Sequence, residues 1–187
     1  PRTVGILYIL KNIRVEQVII GKQFETSKNY EDFLNIVKEK NIKVCVVEAG
    51  NRINIEKNLF FDILWPSKNE TVSKNVINNN ALVCKMVSKK VTMLFTGDIE
   101  QEAEKAILNK YKANIGILKS DILKVAHHGS KTSSTKEFLE AVKPNTAVIG
   151  VGKNNNVGHP NKSVLERLKR LGCRIYRTDE SGEIILL

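Results

Sequence analysis

The chain has 187 residues, 42% of them hydrophobic and 27% charged, and carries a formal net charge of +10. A chain of about 150 residues buries roughly two-thirds of its unfolded surface, so one domain spanning 1–187 with a real core is expected. No apolar run approaches the roughly 20 residues of a membrane helix, and the basic balance favours an anionic partner such as nucleic acid.

In chain order, Pro1-Arg2-Thr3-Val4 shows neither an initiator Met nor a basic-then-apolar leader, and reads as the start of a piece excised from something longer. Val4 to Ile13 spaces Val4, Leu7, Leu10 and Ile13 at helical intervals. The β-rich run Val15 to Gly21 is a predicted strand, and Tyr30 to Lys40 a helix introduced by Ser27-Lys28-Asn29. Lys43 to Val47 closes a strand, helix, strand unit. Ile53 to Ile55 with Leu59 to Leu64 predicts a hairpin ended by Pro66, and the polar stretch Ser67 to Asn80 a loop. Leu82 to Val87 and Val91 to Phe95 form a second predicted hairpin across Ser88-Lys89-Lys90.

Beyond Asp98 the pattern alternates. Helices are predicted at Glu100 to Tyr111, Thr135 to Val142 and Ser163 to Leu171, and strands at Ile122 to Val125, Thr146 to Val151, Arg174 to Arg177 and Glu183 to Leu186. Hairpins followed by αβ units predict an α/β fold of packed sheet and helix layers. Cys45, Cys84 and Cys173 are odd in number, far apart and set in or beside strand-like runs, so they read as small buried hydrophobes rather than disulfides or thiolate ligands.

Three polar marks each follow an apolar run: Thr96-Gly97-Asp98, His127-His128-Gly129-Ser130 and Gly158-His159-Pro160. All 3 histidines of the chain lie in the last two. A carboxylate and imidazoles delivered from strand ends suit a hydrolytic metal centre. Asp98 alone also reads as a turn residue or an N-cap for the helix at Glu100. One of His127 and His128 can bind metal while the other meets substrate, because adjacent side chains on an extended strand point to opposite sides unless the strand breaks there. Ser130 to Ser134 offer hydroxyls and backbone donors ahead of a helix, a stretch suited to phosphate. His159 can ligate metal, orient a phosphate or donate a proton to a leaving oxygen. Successive strand ends of an open sheet converge on one rim, which would gather these marks.

The stretches Leu94 to Glu100, Asp121 to Ser134 and Val151 to Pro160, together with Tyr176 to Ile184, resemble the C-terminal metallo-β-lactamase-like domain of the ComEC family of DNA-uptake competence proteins. The resemblance is specific from about Asn78 onward. It implies an αββα sandwich and a nuclease acting on DNA beside a membrane channel, at the extracytoplasmic face of the cell membrane. Residue by residue, it implies that Asp98 bridges two divalent ions, zinc or manganese, and that His127 and His128 form the late histidine motif. It places His159 facing substrate, and Asn79 and Asn80 near an Asn that precedes the strand before Asp98. Ser130, Lys131, Lys153 and Asn80 are then candidate substrate-binding residues.

The family's His-x-His-x-Asp-His loop is not found in this sequence, so the N-terminal part of the domain is expected to be missing and metal binding and catalysis impaired in this piece. Two other functions stay open: a degenerate fold that binds nucleic acid or a partner without catalysis, and a stand-alone phosphodiesterase of a small substrate.

Overall fold

The structure is a computed structural model and describes residues 4–22 and 27–185. The chain divides into two compact units, Pro1–Val47 and Glu48–Leu187.

The first unit is helix α1 (Val4–Asn12), strand β1 (Gln17–Gly21), helix α2 (Lys28–Glu39) and strand β2 (Lys43–Val47). Ser27 caps α2, its hydroxyl accepting from the Tyr30 amide, and β1 pairs with β2 in parallel. This is the predicted strand, helix, strand unit. Its core is Leu7, Leu10, Val18, Phe33, Ile36, Val37 and Ile42.

The second unit is built on a seven-stranded sheet whose spatial order is the chain order. The strands are β3 (Arg52–Glu56), β4 (Leu59–Trp65), β5 (Val83–Ser88), β6 (Thr92–Phe95), β7 (Ile122–Lys124), β8 (Thr146–Ile149) and β9 (Arg174–Arg177). From β3 to β6 the neighbours are antiparallel: the two predicted hairpins join β3 to β4 and β5 to β6, and residues 66–82 join β4 to β5. From β6 to β9 they are parallel, joined through helices α4 (Gln101–Lys110), α5 (Lys136–Val142) and α6 (Lys162–Arg170). Parallel crossovers are right-handed almost without exception, so a sheet that grows steadily in one direction receives its crossover helices on one face. Leu94, Leu123 and Ala147, paired across β6, β7 and β8, are buried with Ala103 and Ile107 of α4, Phe138 and Leu139 of α5, and Val164 and Leu168 of α6. The α/β class is as predicted, and this layering is consistent with the metallo-β-lactamase-like fold.

Three details differ from the sequence reading. The loop Ser67 to Asn80 contains a short helix, α3 (Val76–Asn79). A 3-10 stretch, Lys112–Leu118, follows α4, and Lys85 of β5 ties it down by donating to the carbonyls of Ile117 and Lys119. No strand forms over Glu183 to Ile185, and Leu186 lies outside the described residues. There the Thr178 hydroxyl accepts from the Val151 amide and donates to the Val151 carbonyl, which turns the chain after β9 into helix α7 (Thr178–Ser181).

The three thiols are free, and burial pushes the Cys84 thiol up to about 11, so it stays protonated and inert.

Candidate metal and phosphate site

Strands β6, β7 and β8 run parallel and in register, with Phe95 beside Lys124 and Lys124 beside Val148, so their C-terminal ends share one rim. Each polar mark follows one of these ends. Backbone bonds then lock the marks together. The Thr96 hydroxyl donates to the Lys124 carbonyl (2.7 Å), the His127 amide to the Gly97 carbonyl (3.0 Å) and the Asn161 amide to the Gly129 carbonyl (2.8 Å).

The strand breaks before the histidine pair. His127 and His128 have left-handed φ values of 47° and 56°, and Gly129 follows at 81°. A non-glycine residue held there costs about 1–2 kcal/mol, and such strain concentrates at functional sites. With the extended backbone ended, the rings are not forced to opposite sides: the centroids of His127 and His128 are 6.4 Å apart, and those of His127 and His159 are 5.8 Å apart. Gly129 is required twice over, because a Cβ there would lie 2.6 Å from the Pro160 Cβ. Its bare backbone lets the Gly158-His159-Pro160 loop close onto the histidine turn.

His128 Nδ1 lies 2.6 Å from the Gly150 carbonyl oxygen. A carbonyl only accepts, so Nδ1 carries the proton and Nε2 is left with its lone pair. That Nε2 lies 3.6 Å from Asp98 Oδ1. Two acceptors facing each other at this distance repel unless a proton or a cation sits between them. A first-row divalent ion, with bonds of about 2.0–2.2 Å to nitrogen and oxygen, spans such a gap, and an imidazole anchored by its other N–H to a carbonyl is the usual form of a metal-binding histidine. Asp98 and His128 therefore fit one edge of a metal shell. Among the described residues no group of three or more His, Cys, Asp or Glu is gathered to hold an ion, so the pair does not complete the shell.

Behind the rim stand carboxylates that sequence reading passed over. Glu100 is buried, with Oε1 3.5 Å from His127 Nδ1, and it accepts from the Thr132 hydroxyl and the Asn75 amide, both at 3.0 Å. Glu100, not Asp98, is the N-cap of α4. Glu104 is fully buried and accepts from the amides of Ser134 and Thr135, which fixes the turn after the histidines, while Arg167 donates to the Ser133 and Ser134 carbonyls there. Desolvation raises the Glu104 carboxyl above its ordinary value. A glutamate beside Ala103 and Ile107, on the buried stripe of a helix, was the available signal.

His159 is clasped by Asn155, whose side chain donates to the His159 carbonyl (2.7 Å) and accepts from its amide (3.0 Å). Burial first, then the imidazoles of His127 and His128, hold the His159 pKa below the usual histidine value, against the pull of Asp98. The ring is thus neutral at neutral pH.

The substrate-binding candidates separate. Lys131 and Lys153 are exposed. Ser130 is buried, its hydroxyl 3.0 Å from that of Thr132, so it belongs to the chain of hydroxyls leading to Glu100. Asn80 is buried, its side chain accepts from the Val72 amide, and it donates to the carbonyls of Val72 and Val76. These bonds brace the loop between Val72 and Asn80. Asn79 does similar work, accepting from the Glu100 amide (2.9 Å) and donating to the Lys74 carbonyl, while its own carbonyl receives the Trp65 indole N–H. It sets the start of α4 just past Asp98.

No family model matches the chain. Over 176 residues, 94% of the chain, it is 36% identical to ComE operon protein 3 of Bacillus subtilis (strain 168). The chain belongs to the ComEC family of competence proteins. It is also 36% identical over 124 residues (66% of the chain) to Competence protein ComA of Neisseria gonorrhoeae, and 35% identical over 126 residues (67%) to Recombination protein 2 of Haemophilus influenzae. It spans 22%, 17% and 15% of the length of these three relatives. A solved structure described as a metal-dependent hydrolase, from Parabacteroides distasonis, overlays at TM-score 0.49 with 11% identity, covering 91% of this chain and 79% of that one. Within this ComEC-family segment, no helix among the described residues is long and apolar enough to cross a membrane.

Proposed function

We propose that this ComEC-family segment supplies one edge of a metal-dependent phosphodiester hydrolase site that acts on DNA, with the remaining metal ligands contributed by sequence outside it. The observation that carries this reading is the Asp98 and His128 pair, two lone-pair donors 3.6 Å apart with the imidazole anchored on the Gly150 carbonyl. The competence names of its relatives and the net charge of +10 support DNA as the anionic substrate.

A bound divalent ion would supply Lewis acidity toward a phosphate oxygen and a water of lowered pKa. The rest falls to the chain's own residues. Asp98 and His128 would hold and orient that ion. Glu100, with Oε1 3.5 Å from His127 Nδ1, places its carboxylate behind the His127 ring. His159, neutral and clasped by Asn155, donates a hydrogen bond from its ring N–H to a phosphate oxygen. Lys131 and Lys153 meet the flanking phosphates and set the salt dependence of binding.

A second reading, a nucleic-acid-binding module without catalysis, draws support from the incomplete donor set. One experiment separates them: metal content and DNA degradation with added manganese or zinc, measured on this chain and on a chain extended toward the length of the relatives. Hydrolysis reading: the extended chain holds metal and cuts DNA, and Asp98→Asn loses both. DNA binding with no cleavage in a metal-loaded extended chain establishes the binding module instead.

A further inference from the structure

The end of the large sheet opposite the rim carries charge that the site does not use. Here lie the turns between β3 and β4 and between β5 and β6, and the segments that lead into β7 and β8. Two hollows sit side by side at this end. The first, of about 660 Å³, is lined by Lys57, Lys89 and Lys90 from the two hairpin turns. The second, of about 390 Å³, is lined by Lys119 and Lys143. They meet where Val91 and Ile122 of the first adjoin Thr92 and Asp121 of the second, and there the Thr92 hydroxyl and amide donate to the Asp121 carboxylate. The lysines stand on fixed backbone. The Ser88 hydroxyl accepts from the amides of Lys90 and Val91 and donates to the Val91 carbonyl, which closes the turn that presents Lys89 and Lys90. The Lys119 carbonyl receives the Lys85 ammonium at 2.6 Å, and Lys143 is held at φ 46° where α5 ends. All five lysines are exposed, and among the described residues none is ion-paired. Glu56 and Asp121 are the acidic groups lining the hollows, so this end keeps an excess of positive charge.

We propose that this end of the sheet is a second nucleic-acid surface: the two hollows take phosphates of one strand's backbone, held by Lys57, Lys89 and Lys90 in the first and by Lys119 and Lys143 in the second. The proposal shares the nucleic-acid partner with the hydrolase reading but needs no metal and no residue of the rim. Like charges gathered on a fixed frame repel one another, and a polyanion laid along them relieves that repulsion while releasing its own counterions. Ammonium contacts to phosphates carry no base preference, so the surface takes any sequence. The apolar residues lining the first hollow, Leu59, Val91 and Ile122, are half-buried while its lysines are exposed. That is the reverse of a surface built to dock on a bilayer, where apolar side chains project. Strands β6, β7 and β8 are three or four residues long, which puts roughly 10–13 Å of extended chain between this end and the rim. A strand held here stays clear of Asp98 and His128.

The test follows binding of a labelled single-stranded oligonucleotide of mixed sequence to the full chain by fluorescence anisotropy, with EDTA present and salt varied. One variant combines Lys57→Gln, Lys89→Gln and Lys90→Gln, and a second combines Lys119→Gln and Lys143→Gln. A control combines Lys28→Gln, Lys38→Gln and Lys43→Gln, exposed lysines of the first unit whose loss lowers the net charge as much as the first variant does. Circular dichroism melting confirms that each is folded. At about 0.7 of salt slope per lost contact, the first variant flattens the slope by about two and binds about tenfold more weakly, and the second flattens it by about one. The control stays within about twofold of the wild type. Equal weakening in the control reports net charge alone and overturns the proposal, as does unchanged binding in the first variant or no binding by the wild type. A parallel arm uses phosphatidylcholine vesicles containing phosphatidylglycerol: if the first variant loses the vesicles and keeps the oligonucleotide, the surface belongs to a membrane and the proposal falls. The hydrolase reading stands or falls separately. A chain that cuts no DNA still gives the expected binding under EDTA, and a chain that cuts DNA yet binds equally without these lysines keeps the rim and loses the second surface.

Discussion

The two halves of the large sheet share only strand β6 and do different work. From β3 to β6 the neighbours alternate in direction, so their ends are spent on two hairpins and on the loop that carries α3. From β6 to β9 they run parallel, and three successive C-terminal ends open on one rim, carrying Asp98, the His127 and His128 turn, and the loop to His159. The antiparallel half supplies support: Trp65 at the end of β4 holds the Asn79 carbonyl, and Asn79 holds the start of α4 behind Asp98. Parallel pairing is what lets single polar residues, far apart in sequence, act together.

That contrast can be broken by mutation. Trp65→Ala, at a fully buried indole in the antiparallel half, is expected to cost about 3–5 kcal/mol in urea denaturation, plus loss of the bond to Asn79. Gly129→Ala, in the parallel half, is expected to cost about 2–3 kcal/mol, since alanine disfavours φ 81° and its Cβ meets Pro160. Its larger signature is local: the His127 and His159 ring resonances should move while those of the antiparallel strands stay in place. If G129A spreads its effect across β3 to β5, the division of labour is wrong.

A smaller effect comes from Asp121, which opens β7 and accepts from the Thr92 hydroxyl (2.7 Å) and amide (2.8 Å). The hydroxyl first, then the amide, holds its pKa below the ordinary carboxylate value. A depressed carboxylate contributes stability above its unfolded pKa and loses it as pH falls through the folded value. The melting advantage of the wild type over Asp121→Asn should therefore be full near neutrality and close below the ordinary carboxylate range. A gap that persists at the acid end would show that the link is packing and not charge. Smallest of all, Lys131→Ala and Lys153→Ala should leave stability within about 0.5 kcal/mol and each flatten the salt dependence of DNA binding by about one phosphate contact.

Much of this was legible in the sequence because period and punctuation carried it. The αβ alternation after Asp98, the cap at Ser27, and the convergence of three marks on one rim all follow from patterns of apolar and polar residues. The unread parts depended on geometry that such patterns do not encode. Nothing in His127-His128 announces two left-handed residues in a row. The bracing of Asn80 needed the path of the Val72 to Val76 backbone. Glu104 was visible as a charge inside an apolar stripe, a signal whose meaning is fixed only when its partner, the Ser134 turn, is in place.

The central claim is that Asp98 and His128 share one cation. Titrating Mn2+ into the chain labelled for carboxyl and imidazole NMR tests it most directly. The account predicts that the Asp98 carboxyl and His128 ring broaden together at the lowest Mn2+ concentrations, and that Asp98→Asn abolishes the effect at His128. Broadening centred elsewhere, or at His128 regardless of Asp98, would contradict it.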